Sequence, residues 1–193
     1  MGKFPGASQA VYEAAIRGDV HQVNALVAAG ANLNALNSNG DTLLQEMVFW
    51  LAEDQSQLCG EMLRLLLQLG ADPNILGDEG SSALTAAMLC MDSELLGILL
   101  SAGADPNQPK GLCESDSFYD WAELDYCYNV WMRDNEEFEL MSPPEEPTDA
   151  DQVSEESYLD YLDRMAVKYG VRRPDHLFLL RSYGAKSAHE IKG

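Results

Sequence analysis

The segment Leu99-Leu100-Ser101-Ala102-Gly103-Ala104-Asp105-Pro106-Asn107 has two earlier copies, Leu66-Leu67-Gln68-Leu69-Gly70-Ala71-Asp72-Pro73-Asn74 and Leu26-Val27-Ala28-Ala29-Gly30-Ala31-Asn32-Leu33-Asn34. A weaker fourth is Leu179-Leu180-Arg181-Ser182-Tyr183-Gly184-Ala185. In each copy an apolar pair, two leucines in all but the first, where it is Leu26-Val27, ends an amphipathic helix, a glycine takes the left-handed position after it, and the residues that follow turn the chain outward. The glycines at 70 and 103 are 33 residues apart, those at 30 and 70 are 40 apart, and those at 103 and 184 are 81 apart. The spacing predicts a 33-residue unit with seven extra residues in the second copy and a much larger insertion before the last.

Upstream of two copies stand Gly40-Asp41-Thr42-Leu43-Leu44-Gln45 and Gly80-Ser81-Ser82-Ala83-Leu84-Thr85. Each offers a small hydroxylated residue where a new helix needs an N-cap. In the first copy Ala14-Ala15-Ile16-Arg17-Gly18 joins two helices, twelve residues before Gly30. These segments resemble the ankyrin repeat, a turn, helix, helix unit of 33 residues whose pattern runs G-x-T-P-L-H-x-A and then L-L-x-x-G-A-D-x-N. Here Leu43 and Ala83 replace its proline, and Gln45 and Thr85 its histidine. The resemblance implies an all-α solenoid of about four repeats within a single domain spanning 1–193, with three recognisable repeats over 8–108.

The remainder departs from the pattern. Residues 109–170 read as a degenerate repeat carrying an acidic insertion, and 171–193 as a C-terminal capping helix and tail. Ser117 is a plausible N-cap, followed by a helix face of Phe118, Trp121, Ala122, Leu124 and Tyr128 or Val130. The stretch 133–154 contains Ser142-Pro143-Pro144-Glu145-Glu146-Pro147 and is expected to be a mobile acidic loop. Helical spacing resumes at Tyr158 and ends near Gly170, and Pro174 suits the first turn of a last helix. The extra residues of the second repeat belong near 51–60. The bulky run Met47-Val48-Phe49-Trp50-Leu51 before them has two readings, a contact patch and aromatics buried between repeats, and burial is the expectation.

The chain of 193 residues carries 32 acidic and 12 basic residues, a formal charge of −20. That excludes non-specific nucleic-acid binding. The acidity is local: residues 114–163 hold 17 acidic residues against Arg133 alone. Aromatics interleave with them, which suits a surface for a basic protein. No window is apolar enough to span a bilayer, no signal-peptide run opens the chain, and four cysteines without a C-x-x-C pair fit a reducing cytoplasm. No catalytic motif, metal-ligand spacing or cofactor fingerprint is present, so the chain is not expected to be an enzyme or to carry a cofactor. The free protein is expected to be monomeric.

The expected activity is therefore capture of a basic protein partner, with no part for nucleic acid or membrane. The resemblance implies a contact surface of turn tips and first helices, here Asn37, Asn39, Asp41, Gln45, Asp78, Glu79, Ser81 and Thr85. The insertion would extend it through Asp120, Trp121, Trp131, Asp134, Glu136, Glu137 and Glu139. Among ankyrin proteins the chain is similar to the small acidic immunity proteins of bacterial toxin systems, which implies occlusion of the basic cleft of a nuclease-type or other toxin. A scaffold, a host-directed effector, or a regulator using the acidic loop as a pseudosubstrate fits the same residues.

Overall fold

The computed structural model describes residues 2–52, 54–108, 117–131 and 142–192, with the backbone alone at Glu79. Every regular element among the described residues is helical, and the chain divides into two compact units, Met1–Glu114 and Ser115–Gly193.

The first unit is a stack of three helix pairs: α1 (Ala7–Ala15) with α2 (Val20–Ala28), α3 (Leu43–Leu51) with α4 (Ser56–Gln68), and α5 (Ala83–Leu89) with α6 (Ser93–Ser101). The first helices pack side by side, α1 on α3 and α3 on α5, and α4 packs on α6. The repeat register carries straight into the core. Val11, Ala14 and Ala15 of α1 correspond to Leu44, Met47 and Val48 of α3 and to Leu84, Ala87 and Met88 of α5, and all nine are buried. Each large aliphatic side chain buried in this way contributes about 1.5–3 kcal/mol before entropy is counted. A pair covers its second face only against the next pair, so the array is stable as a stack and not as separate units. This is an all-α solenoid of stacked helix pairs, as the resemblance to the ankyrin repeat implies.

The helix ends explain the repeated glycine. The N–H of Gly30 donates to the carbonyl of Val27 and that of Ala31 to Leu26; Gly70 and Ala71, Gly103 and Ala104, and Gly184 and Ala185 make the same two bonds. Each pair satisfies carbonyls that a helix end otherwise leaves open. Helix starts are equally explicit. Thr42 accepts from the Gln45 N–H while the Gln45 side chain accepts from the Thr42 N–H, and Ser82 accepts from Thr85. The seven extra residues of the second repeat are shared out: α3 is two longer than α5, the turn after it one longer, and α4 four longer than α6.

The second unit contains α7 (Phe118–Trp131), α8 (Glu155–Tyr169), α9 (Asp175–Ser182) and α10 (Ala188–Lys192). Ser117 caps α7 reciprocally with Asp120: the Asp120 N–H donates to Ser117 Oγ and the Ser117 N–H to Asp120 Oδ2. α7 packs on α9, with α8 inserted between them in the chain. Gly170 ends α8 in the left-handed conformation, as its position suggested.

One expectation for this unit needs correcting. The buried face of α7 is Phe118, Tyr119, Ala122, Tyr126, Cys127 and Trp131, whereas Leu124 and Tyr128 point outward. Apolar residues surround this helix, so periodicity could not select the inner face; Tyr126 does, donating from its hydroxyl to the Arg172 carbonyl at 2.6 Å. Residues 142–154 are the part of the expected loop that lies within the described residues. Pro143 is buried, Asp149–Gln152 forms a 3₁₀ turn, and Thr148 and Asp151 make a capping box. Arg164 pairs with Asp151 at 2.6 Å, Lys168 pairs with Glu145, and the Tyr169 hydroxyl donates to Glu145 at 2.7 Å. Cations on α8 thus pair with acids of this segment.

Candidate protein-docking surface

The tips between repeats are built from hydrogen bonds that hold their backbone in register. The Asn37 N–H donates to the Asp41 carbonyl at 2.9 Å, and the Gly77 N–H donates to Ser81 at 2.7 Å. The tips are also joined to each other, Asp78 N–H to the Gly40 carbonyl at 2.9 Å. This approach excludes a side chain at Gly77, whose Cβ would lie 2.4 Å from the Gly40 carbonyl oxygen. The segment before α1 extends the ladder outward: the Ser38 N–H donates to the Lys3 carbonyl and the Lys3 N–H to Ser38 Oγ. Phe4 anchors that segment, buried against Tyr12 with ring centroids 5.4 Å apart.

Several residues expected to meet a partner are instead consumed by this framework. Asn37 is buried; its Oδ1 accepts from the N–H groups of Asn39 and Asp41, and its Nδ2 donates to Glu46 at 2.6 Å. Gln45 is fully buried, its Nε2 donating to Ser81 Oγ at 2.8 Å across the repeat boundary. Thr85, at the corresponding position of the next repeat, is half-buried and accepts from Gln108. Asn39 and Asp78 are exposed, and Asp41 and Ser81 partly so. The tips therefore present a narrow polar rim.

The first helices also expose apolar side chains. Phe49 is 52% and Trp50 54% accessible, contrary to the burial expected for them, and Leu89 is 42% accessible. Ile16, Phe49 and Leu89 occupy one register position, offset by 33 and 40 residues, each directly after a buried core residue. The shift to solvent is geometric: Met47 and Val48 already fill the inter-repeat space, and the next residue of an α-helix points about 100° away. Trp50 is held in place, its Nε1 donating to Glu46 at 2.8 Å. Glu46 is itself buried, with its carboxylate bonded to Asn37 and Trp50. Burial first, and the Glu46 charge second, push the nearby Tyr12 hydroxyl up to about 12. Alignment of the first helices by the repeat offset was the signal that could have found this ridge.

In the second unit Trp131 is buried, edge-on to Tyr169 at 6.3 Å, and cannot serve as an exposed anchor. Asp120 Oδ2 accepts from the N–H groups of Ser117 and Ala188 and has a structural role. Trp121 is half-buried. Asp134, Glu136, Glu137 and Glu139 lie outside the described residues, as does the Glu79 side chain. Part of the acidic charge is paired within the unit: Arg173 with Asp163 at 2.6 Å, and Arg181 with Glu190 at 2.5 Å and with Glu156. Such exposed pairs contribute little stability, but they lower the field available to an outside partner.

Among the described residues no group of His, Cys, Asp and Glu could hold a metal ion, and no helix is long and apolar enough to cross a membrane. Cys59 and Cys127 are buried, which pushes both thiols up to about 12 and keeps them protonated.

No family model matches the chain, and no curated protein matches it. Among solved structures it is similar to an ankyrin repeat domain from Acinetobacter baumannii, at 35% identity and a TM-score of 0.44. The similarity covers 50% of this chain and 48% of that one, so the chain spans about half the length of the solved relative.

Proposed function

We propose that this protein is a binding module that captures a basic protein partner through the first-helix ridge and the acidic rim beside it. The observation that carries this reading is the outward pair Phe49 and Trp50, with Trp50 fixed by a buried carboxylate. A rigid exposed indole loses little entropy on burial, and aromatic anchors of this kind dominate interface energetics. Leu89 extends the apolar strip at the same register position, and Asn39 and Asp78 stand exposed at the tips. A net charge of −20 selects a cationic partner and repels acidic ones.

Within this class the reading we favour is an immunity-type inhibitor that occludes the basic cleft of a toxin, since a compact acidic surface can stand in for a polyanionic substrate. Scaffold, effector and pseudosubstrate roles share the ridge and differ in what the partner does. The test is co-purification from the native cell, followed by binding measurements on Phe49→Ala and Trp50→Ala. Each variant is expected to weaken binding by about 2 kcal/mol or more, mainly through faster dissociation. An acidic partner, or unchanged affinity in both variants, refutes the reading. If the partner is toxic when expressed alone and harmless when co-expressed with this chain, the inhibitor role holds over the scaffold.

A further inference from the structure

The indole of Trp50 stands 54% accessible on α3, while the carboxylate that holds it is out of reach: Glu46 is 4% exposed. Trp50 Nε1 donates to Glu46 Oε2 at 2.8 Å, and Asn37 Nδ2 donates to Oε1 at 2.6 Å. Among the described residues no cation pairs with Glu46. A partner cannot touch this buried charge, which acts outward through space and through the ring bonded to it. An anion at the indole N–H pushes electron density into the ring and deepens the negative potential of its faces.

The surroundings have the same sign. Helices α1, α3 and α5 carry Glu13 and Glu46 and no lysine or arginine, and the tips 35–42 and 75–82 add Asp41, Asp78 and Glu79. Arg64 of α4 is committed to Glu94 of α6 at 2.9 Å, and Arg17, one repeat before Trp50 in register, donates to Gln22 of α2 at 3.4 Å. Of the described residues only Lys3, bonded through its backbone to Ser38, brings a positive charge to a tip.

We infer that Trp50 is the seat of an arginine side chain of the basic partner, its guanidinium laid flat on the exposed indole. A carboxylate-polarised ring in a field of acids is a receptor for a cation, and tryptophan is the best of the aromatic residues for that purpose. Arginine suits it better than lysine because the ridge offers a ring face and no free acceptor: Phe49 and Leu89 are apolar, and both Glu46 oxygens are bonded beneath the surface. An ammonium laid there sheds tightly held water without replacement, whereas a planar, weakly hydrated guanidinium covers the ring and keeps its edge N–H groups in solvent. The inference rests on the proposed capture of a basic partner at the ridge. It changes what Trp50 does there, from an apolar anchor to a receptor for charge.

The test uses the full chain, labelled with ¹⁵N, and three short blocked peptides, Gly-Arg-Gly, Gly-Lys-Gly and Gly-citrulline-Gly. The arginine peptide is expected to shift the Trp50 indole signal saturably and to bind about threefold more tightly than the lysine peptide, with citrulline inert. Trp50 is then replaced site-specifically by tryptophans bearing one, two and four ring fluorines, which keep the shape of the indole and drain charge from its faces. Arginine binding should weaken stepwise, by about tenfold over the series. Glu46→Gln should weaken it about threefold; if that variant does not fold, the fluorine series, which leaves Glu46 intact, decides alone. Glu61→Gln, an exposed acid on α4, should leave it unchanged. Equal binding of citrulline, no saturable shift at Trp50, or affinity indifferent to fluorination would overturn the inference. With an isolated partner the two proposals separate: binding lost in Trp50→Ala but untouched by fluorination keeps the ridge as an apolar anchor and discards the arginine seat.

Discussion

Asn74 is bonded to Gly103 across a repeat boundary: its Nδ2 donates to the Gly103 carbonyl at 2.9 Å, and its Oδ1 accepts from the next N–H but one, that of Asp105, at 2.8 Å. Asn34 makes the same pair of contacts one repeat earlier, at 3.4 Å to Gly70 and 2.9 Å to Asp72. Asn34 and Asn74, the last residues of the first two repeated segments, thus clamp the helix end of their successors. Asn74→Ala removes both bonds at an exposed site, and is expected to cost about 1–2 kcal/mol in urea unfolding. An unchanged midpoint would show that water replaces the amide without loss.

Gly103 has φ of 93°, and a Cβ there would meet nothing within 4 Å. The need for glycine is therefore conformational and not steric. Gly103→Val is expected to lower stability by about 1–2 kcal/mol through backbone strain alone. Met91 offers the complementary experiment, since it sits at φ 47° where Gly18 stands in the first repeat, and its N–H closes α5 by donating to the Met88 carbonyl while that of Asp92 donates to Ala87. Met91→Gly should raise stability by about 1 kcal/mol, read as a shift of the thermal midpoint.

Glu123 and His176 should act against each other as pH changes. Burial first, then Glu155 and Asp120, push the Glu123 carboxyl up to about 7 from 4.5, so the folded chain keeps a proton that the unfolded chain releases. Its contribution to stability therefore falls as pH rises from 4.5 to about 7. Burial and then Arg172 push His176 down to about 4 from 6.5, so the unfolded chain takes up a proton first and stability falls as pH drops below 6.5. Glu123→Gln removes the first effect. It should gain at most a few kcal/mol over the parent at pH 8 and little at pH 4. A gain independent of pH would place the effect in packing.

Association with a basic partner should depend on salt. Reversing Asp134, Glu136, Glu137 and Glu139 to lysine is expected to slow association and flatten its salt dependence while leaving dissociation nearly unchanged, because rim charges act on the encounter. Stopped-flow rates at low and high ionic strength check this. A rate indifferent to salt in the parent protein would discard electrostatic steering.

Local chemistry alone was enough for the repeat. Paired leucines, a left-handed glycine and hydroxyl caps act within one or two turns of chain, so Leu66, Gly70, Thr42 and Ser82 could be assigned from their neighbours. Charge was equally legible, being a sum over residues. The surface was not, because exposure depends on what another segment has already covered. Phe49 faces water because Met47 and Val48 fill the gap to the next repeat, and Asn37 is lost to a partner because Glu46 and two tip N–H groups claim its amide. On α7, where apolar residues lie on every side, packing against α9 chose Tyr126 for the core and left Leu124, Asp125 and Tyr128 lining a groove. The partners that α8 offers the Pro-rich acidic stretch, Arg164 for Asp151 and Lys168 for Glu145, were likewise invisible in the stretch itself. Helix ends follow from sequence because their bonds are short-range; the sides those helices show to solvent follow from which long-range contacts are made first.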